Sequence, residues 1–245
     1  MAAIKILVLA AATVWAAVLM LPDNKLHVIF CDVGQGDAIL VTYKTEQLLI
    51  DGGPGKKVVS CLERHIPFFD RRIEAVVLTH QNADHSKGLT YVRERYKVVV
   101  FEPALRKNQT LELGQIKYQV LWPDDKVLGA NTIGMENGEG IVGRVSWGSF
   151  DVLLTADVET KNYEEPGPGI EVVKVPHHGS KFGLEPEWWA KVRPALAVVS
   201  VGKNSYGHPT EEVIKILSDL GIKLLRTDQD GEIEIVSDGR SWQVK

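Results

Sequence analysis

The chain of 245 residues carries 28 lysines and arginines against 32 aspartates and glutamates, a formal net charge of -4, and is 44% hydrophobic and 24% charged. That hydrophobic share excludes intrinsic disorder and suits one sizeable globular domain. The acidic balance excludes a protein that gathers nucleic acid through its overall field, so any such contact must be local, and pairs such as Lys56-Lys57, Arg71-Arg72 and Arg106-Lys107 read first as solvated surface.

Ile6 to Leu21 is uncharged, follows Lys5 and ends at Pro22-Asp23-Asn24-Lys25. Spanning a bilayer takes about 17 to 25 mostly apolar residues, a length reached only with the flanks from Met1 to Pro22 and with Lys5 snorkelling. No small-x-small cleavage site follows, since Val18-Leu19-Met20-Leu21-Pro22 offers none. The expectation is an uncleaved membrane anchor over residues 1–24, with a cleaved signal segment of a secreted domain and a buried core helix as the alternatives. The positive-inside tendency then places the amino terminus in the cytoplasm and the domain of residues 25–245 outside, although Lys25 opposes it.

From Leu26 onward, short β-rich runs alternate with helical patterns. Strands are predicted at Leu26 to Cys31, Ala38 to Tyr43, Gln47 to Ile50, Ile73 to Leu78 and Val98 to Phe101, with helices at Val58 to His65 and Gly88 to Tyr96. The second half alternates less regularly, with strands at Ile116 to Trp122, Ile141 to Trp147, Val152 to Thr155, Val172 to Val175 and Leu196 to Val201. Helices at Glu185 to Val192 and Thr210 to Leu220 precede strands near Ile222 to Leu225 and Ile233 to Val236. Asp124 to Gly140 and Glu164 to Gly169 read as breaker-rich loops. This order predicts an α/β (α+β) fold of αββα type, two sheets flanked by helices. Cys31 and Cys61 lack metal or redox spacing and read as small core residues, with pairing open if the domain is exported.

Three strand-like runs end in metal-donor residues. Ala75-Val76-Val77-Leu78-Thr79 leads into His80-Gln81-Asn82-Ala83-Asp84-His85, where a buried strand fixes the backbone and a loop lets imidazole and carboxylate groups converge. Taken alone, that loop also reads as a polar helix cap with Asp84 near the cap position. Asp157 follows Val152-Leu153-Leu154-Thr155, where a lone aspartate is usually a turn residue. His177-His178-Gly179-Ser180 follows Val172-Val173-Lys174-Val175-Pro176, and adjacent histidines are poor core filling, since buried imidazoles need partners. Nitrogen and oxygen donors of this kind suit zinc or manganese.

These segments resemble the metallo-β-lactamase-like carboxy-terminal domain of the ComEC family of DNA-uptake channel proteins. The likeness runs through Asp32-Val33-Gly34-Gln35-Gly36-Asp37-Ala38, Leu49-Ile50-Asp51-Gly52-Gly53, the His80 to His85 loop, Leu153 to Asp157, Val175 to Ser180 and Asn204-Ser205-Tyr206-Gly207-His208-Pro209. The family's many-helix channel is absent, so the chain resembles a stand-alone version of the soluble part.

The resemblance implies a two-metal hydrolase site: His80 on the first metal, Asp84 and His85 on the second, Asp157 bridging, and one of His177 and His178 completing the second. Asp51 and Asp32 would orient ligands from behind, Asp84 would also serve catalysis, Asp37 would face the same cavity as a further catalytic group, and His208 would contact a phosphate or protonate a leaving group. The family pattern is His-x-His-x-Asp-His, and Asn82 stands at the second histidine, a weaker donor that leaves the first site loosely filled or empty. Ala156 stands where the family has glycine. The implied function is a phosphodiesterase or nuclease on single-stranded DNA at the outer face of the cytoplasmic membrane, partnered by a separately encoded channel protein. A cell-envelope phosphodiester is the alternative substrate, and a non-catalytic assembly role with a decayed site is the alternative of another class.

Overall fold

The computed structural model describes residues 4–7, 15, 21–124, 140–167 and 169–245. Most of the expected anchor and of the Asp124 to Gly140 loop lies outside the described residues. Among the described residues no helix is long and apolar enough to cross a membrane.

Strands β1 (Leu26–Phe30), β2 (Ile39–Tyr43) and β3 (Glu46–Ile50) form an antiparallel meander. Helix α1 (Lys57–His65) crosses to β4 (Arg72–Val77), parallel to β3, and α2 (Ala83–Ser86) and α3 (Leu89–Arg95) cross to β5 (Lys97–Glu102), parallel to β4. The second sheet repeats the plan. Strands β6 (Thr110–Leu113), β7 (Ile116–Trp122), β8 (Val142–Trp147) and β9 (Phe150–Leu154) are antiparallel. Strands β10 (Val172–Lys174), β11 (Leu196–Val199) and β12 (Lys223–Arg226) then add in parallel, with α4 (Pro186–Val192) and α5 (Glu211–Asp219) between them. After a short α6 (Thr227–Asp230), β13 (Ile233–Ser237) returns beside β1 and β14 (Trp242–Val244) closes the edge. The result is two seven-stranded sheets, ordered β14-β13-β1-β2-β3-β4-β5 and β12-β11-β10-β9-β8-β7-β6.

Period-two alternation decides which face each side chain joins. In β1, Leu26, Val28 and Phe30 enter the core between the sheets, while Ile29 packs outward with Val58 and Leu62 of α1 and Val92 of α3. In β11, Leu196 and Val198 face inward, while Ala197 and Val199 pack against Trp188 and Trp189 of α4 and Val213 and Leu217 of α5. Three apolar clusters thus separate four layers in αββα order. Each fully buried large apolar side chain adds roughly 1.5–3 kcal/mol.

Cys31 and Cys61 are core residues, but they are also joined as a disulfide with Cα atoms 5.8 Å apart. The expectation of two separate small core residues is corrected to the paired alternative. The bond ties the end of β1 to α1 where they pack together.

Candidate metal centre

Each parallel strand ends at the same edge of its sheet, so the loops leaving their carboxyl ends crowd together, as at ligand sites of open α/β sheets generally. Thr79 and His80 follow β4, Asp51 follows β3, Asp157 follows β9, His177 and His178 follow β10, and Ser200 to His208 follow β11. Close backbone packing brings the loops to one point. A Cβ on Gly36 would overlap the Asp84 carbonyl, which accepts a hydrogen bond from the Asp37 N–H at 3.2 Å. The His80 to His85 loop does open a helix, α2, but Asn82 is the residue at its cap and its side chain caps nothing, while Asp84 and His85 lie in the first turn.

Hydrogen bonds fix three imidazoles in one tautomer. Asp51 accepts from the Thr79 N–H at 2.8 Å and the Thr79 hydroxyl at 2.7 Å, and takes the Nδ1–H of His85 at 2.8 Å. With its proton committed to Asp51, the Thr79 hydroxyl oxygen accepts from His80 Nδ1 at 3.0 Å, and the Ser200 carbonyl accepts from His178 Nδ1 at 2.8 Å. Nδ1 protonation leaves the Nε2 lone pairs as donors to a cation. Those three Nε2 atoms and Asp157 Oδ1 are buried and make no hydrogen bond within the protein. Buried polar atoms are nearly always satisfied, so this set fits a metal ion.

Four donors come together in one group, Asp84, His85, Asp157 and His178, whose ligand atoms all lie within 4.8 Å of one another. His85 Nε2 is 3.4 Å from Asp157 Oδ2, and His178 Nε2 is 3.4 Å from both Asp157 Oδ1 and Asp84 Oδ2. His80 Nε2 and His177 Nε2 each stand 3.8 Å from Asp157 Oδ2. His178 is thus the member of the pair turned into the group. His177 lies at its rim, 27% exposed. Ala156, His177 and His178 all take positive φ, at 48°, 46° and 53°, a strained choice for residues with a Cβ that persists where surrounding contacts enforce it.

The electrostatics favour a positive charge at this point. Burial would lower the His85 pKa, but the Asp157 and Asp51 carboxylates raise it well above the ordinary histidine value. Burial likewise opposes ionisation of Asp157, yet His178, His85 and Lys174 hold its carboxyl well below the usual range. Burial and its neighbour His85 lower the His80 pKa.

Two expected site residues stand elsewhere. Asp32 is half-exposed, accepting from the Gly34 N–H and facing Lys57, because the turn after β1 engages its side chain with its own backbone. Asp37 is buried at 1% exposure behind the imidazoles, with Oδ2 3.8 Å from His85 Nδ1 and Oδ1 3.7 Å from His178 Nδ1, so it faces the backs of the ligands rather than a cavity. Sequence reading missed Lys174, which is fully buried beside Asp37 at 2.8 Å. Its signal was present in the charge inside the apolar run Val172-Val173-Lys174-Val175.

A cavity of about 240 Å³ opens over the donors, lined among others by Gln35, Asn82, Asp84, His177, Tyr206 and His208. Burial, His177 and His178 together lower the His208 pKa. Asn204 holds this rim: its Oδ1 accepts from the N–H groups of Tyr206 and His208, and its Nδ2 donates to the carbonyls of Gly202 and His208. The exposed Tyr206 ring sits 5.8 Å from that of His208. A larger cavity of about 330 Å³, by His27, Arg64 and Glu234, lies at the opposite end of the first sheet.

Residues 31–202 match the sequence profile of the Metallo-beta-lactamase superfamily. The chain is 30% identical to Competence protein ComA of Neisseria gonorrhoeae, over 87% of this chain and 32% of that protein. It is 27% identical to ComE operon protein 3 of Bacillus subtilis (strain 168), over 83% of this chain and 32% of that protein. The chain therefore spans about a third of the length of these curated relatives. Among solved structures, the metallo-beta-lactamase fold protein YhfI from Bacillus subtilis superposes with a TM-score of 0.58 at 13% identity, covering 85% of this chain and 99% of that one.

Proposed function

We propose, on the premise that the chain belongs to the metallo-β-lactamase superfamily, that it is a metal-dependent phosphodiesterase whose substrate is single-stranded DNA met outside the cytoplasmic membrane. The observation that carries the hydrolase reading is the convergence of Asp84, His85, Asp157 and His178 beneath an open cavity, with buried donor atoms on His85, Asp157 and His178 that make no hydrogen bond. A divalent cation held there, zinc or manganese, supplies Lewis-acid polarisation of a phosphoryl oxygen. Asp51 and the Ser200 carbonyl keep His85 and His178 aimed at it. His208, whose pKa is lowered by burial and by His177 and His178, offers its ring N–H as a donor to a phosphate oxygen at the cavity edge. His80 and Asn82 make a weaker first site beside Asp157, so one cation is held tightly and a second loosely.

The choice of DNA draws on the likeness to the ComEC family and to competence protein ComA. Tyr206 supports it, because an exposed ring at the cavity mouth offers a stacking face, worth about 1–3 kcal/mol per base. The placement outside the cytoplasm draws on the apolar run Ile6 to Leu21 as an anchor and on the Cys31–Cys61 bond, since disulfides persist in oxidising compartments. A separately encoded channel protein is the proposed partner.

Asn82 in a ligand position favours a second reading, in which the domain binds and assembles without catalysis, and the net charge of -4 favours a cell-envelope phosphodiester over DNA. One experiment separates them: metal content per chain, with hydrolysis of single-stranded DNA and of a simple phosphodiester in added manganese. Cleavage of both supports the nuclease, cleavage of the simple ester alone supports the envelope substrate, and bound metal without cleavage supports the assembly role.

A further inference from the structure

Among the described residues Lys174 is the only lysine that is fully buried. It follows Val172 on the side of β10 that faces between the sheets, whereas Val173 and Val175 face the helices. An ammonium in that position must be paired and hydrogen-bonded. Nζ donates to the Ala156 carbonyl at 2.7 Å and the Val175 carbonyl at 3.3 Å, and it is ion-paired with Asp37 Oδ2 at 2.8 Å.

Those partners sit on three different loops, each tied to one donor of the metal group. Ala156 immediately precedes Asp157, and its carbonyl also takes the His177 N–H at 3.1 Å. Val175 leads into His177 and His178. Asp37 holds the third, because its N–H donates to the Asp84 carbonyl at 3.2 Å while its carboxylate lies against the Nδ1 sides of His85 and His178.

We propose that Lys174 is a built-in cation that gathers the loops bearing Asp84, Asp157 and His178 into their ligand-ready arrangement before any metal arrives, with Asp37 as its counter-ion and relay. The inference rests on reading the four-donor group as a metal site, and it makes Lys174 a positioning residue, since it touches neither substrate nor metal. A weaker role would have Lys174 only neutralise Asp37. The two roles part on the carbonyls: neutralisation needs the charge alone, whereas assembly also needs the donors to Ala156 and Val175.

The test compares wild type, Lys174→Met, Asp37→Asn and the double variant Asp37→Asn/Lys174→Met, reading manganese and zinc affinity by chelator competition. Hydrogen exchange of residues 155–158 and 175–180 is followed in chelator-treated protein. Expected for Lys174→Met is a 10–100-fold loss of metal affinity, the range typical of outer partners of a metal site, with faster exchange in both loops. The double variant has no buried charge left unpaired, so it folds even where the single variant does not, and it keeps the affinity loss. Wild-type affinity and protection in the double variant would overturn the proposal in favour of neutralisation. So would wild-type loops that are unprotected without metal and become protected only on its addition. Failure of wild type to bind either metal would instead sink the metal-centre reading, while the exchange data still report on Lys174.

Discussion

Asp51 reaches the centre without touching the cavity, through a buried hydrogen bond to His85 and two to Thr79. An asparagine in its place keeps the shape but offers an amide where His85 requires an acceptor, so the imidazole loses its enforced tautomer. Asp51→Asn is expected to weaken metal binding about 10–100-fold and to lower the thermal midpoint, because its amide leaves a buried donor facing Thr79 or His85; unchanged affinity by chelator competition in the folded variant would remove Asp51 from the site's support. Asn82 is the converse case, a residue on the cavity wall with a weak donor. Imidazole nitrogen outcompetes a neutral amide oxygen for zinc or manganese. Asn82→His is therefore expected to raise bound metal toward two ions per chain and to raise turnover, since two cations about 3.5–4 Å apart clamp both attacking and leaving oxygens. Metal analysis and single-stranded DNA cleavage read both effects, and a wild type already holding two ions tightly would make Asn82 a competent ligand.

Helix α5 carries the rim loop into the fold, and its start is set by Thr210, whose side chain accepts from the Val213 N–H while its own N–H donates to the Gly179 carbonyl. Thr210→Ala is expected to cost about 1 kcal/mol, the usual effect of a lost cap, as a lower urea midpoint with metal affinity intact. Elements of this kind were legible because their signals are local. Val28-Ile29-Phe30, Val76-Val77 and Leu153-Leu154 are β-branched and apolar runs that must be buried whatever their partners, and they became β1, β4 and β9. Strands β6 and β14 were not legible, because half-exposed edge strands with residues such as Glu112 and Gln243 carry little burial pattern. The donors at strand ends were legible by type, and the choice of His178 over His177 was not, because it depends on backbone angles set by contacts with Ser200 and Ala156. Asp32 and Asp37 sit in one short motif, yet one faces solvent and the other the interior, a difference made by the turn between them rather than by composition.

Two features bind distant parts of the molecule together, and they respond to different conditions. His27 at the start of β1 is held between Asp23 at 2.9 Å and Glu234 of β13 at 2.7 Å. Burial lowers the His27 pKa, but Glu234 and Asp23 raise it above its usual 6.5, while the pKa values of Asp23 and Glu234 lie below their usual 3.8 and 4.5 despite burial. A raised histidine stabilises the fold fully below the unfolded value and loses that contribution as pH rises through the folded one, whereas depressed carboxylates lose theirs as pH falls through their folded values. The full contribution therefore lies between about pH 4.5 and 6.5, and His27→Gln is expected to lower the urea midpoint more at pH 5.5 than at pH 9, by no more than about 1 kcal/mol because solvent screens the group. Equal loss at both pH values would count against the ion pairs. The Cys31–Cys61 bond acts through the unfolded chain instead. It closes a loop across a sequence separation of 30 residues, which in the chain-entropy treatment removes about 3–4 kcal/mol of unfolded-state freedom. In a chain of this size 1 kcal/mol moves the thermal midpoint by about 2–4 °C, so the whole bond is worth roughly 6–16 °C. Its sulfurs are buried in the cluster between β1 and α1, so a Cys31→Ala/Cys61→Ala variant also loses their packing, and the reduced protein is the form that isolates the cross-link. The expected result is that protein refolded under oxidising conditions melts higher than the reduced protein, with the double-alanine variant no higher than the reduced form. Two free thiols in protein purified from its own cells, or no difference in midpoint, would remove the bond as support for a domain that folds outside the cytoplasm.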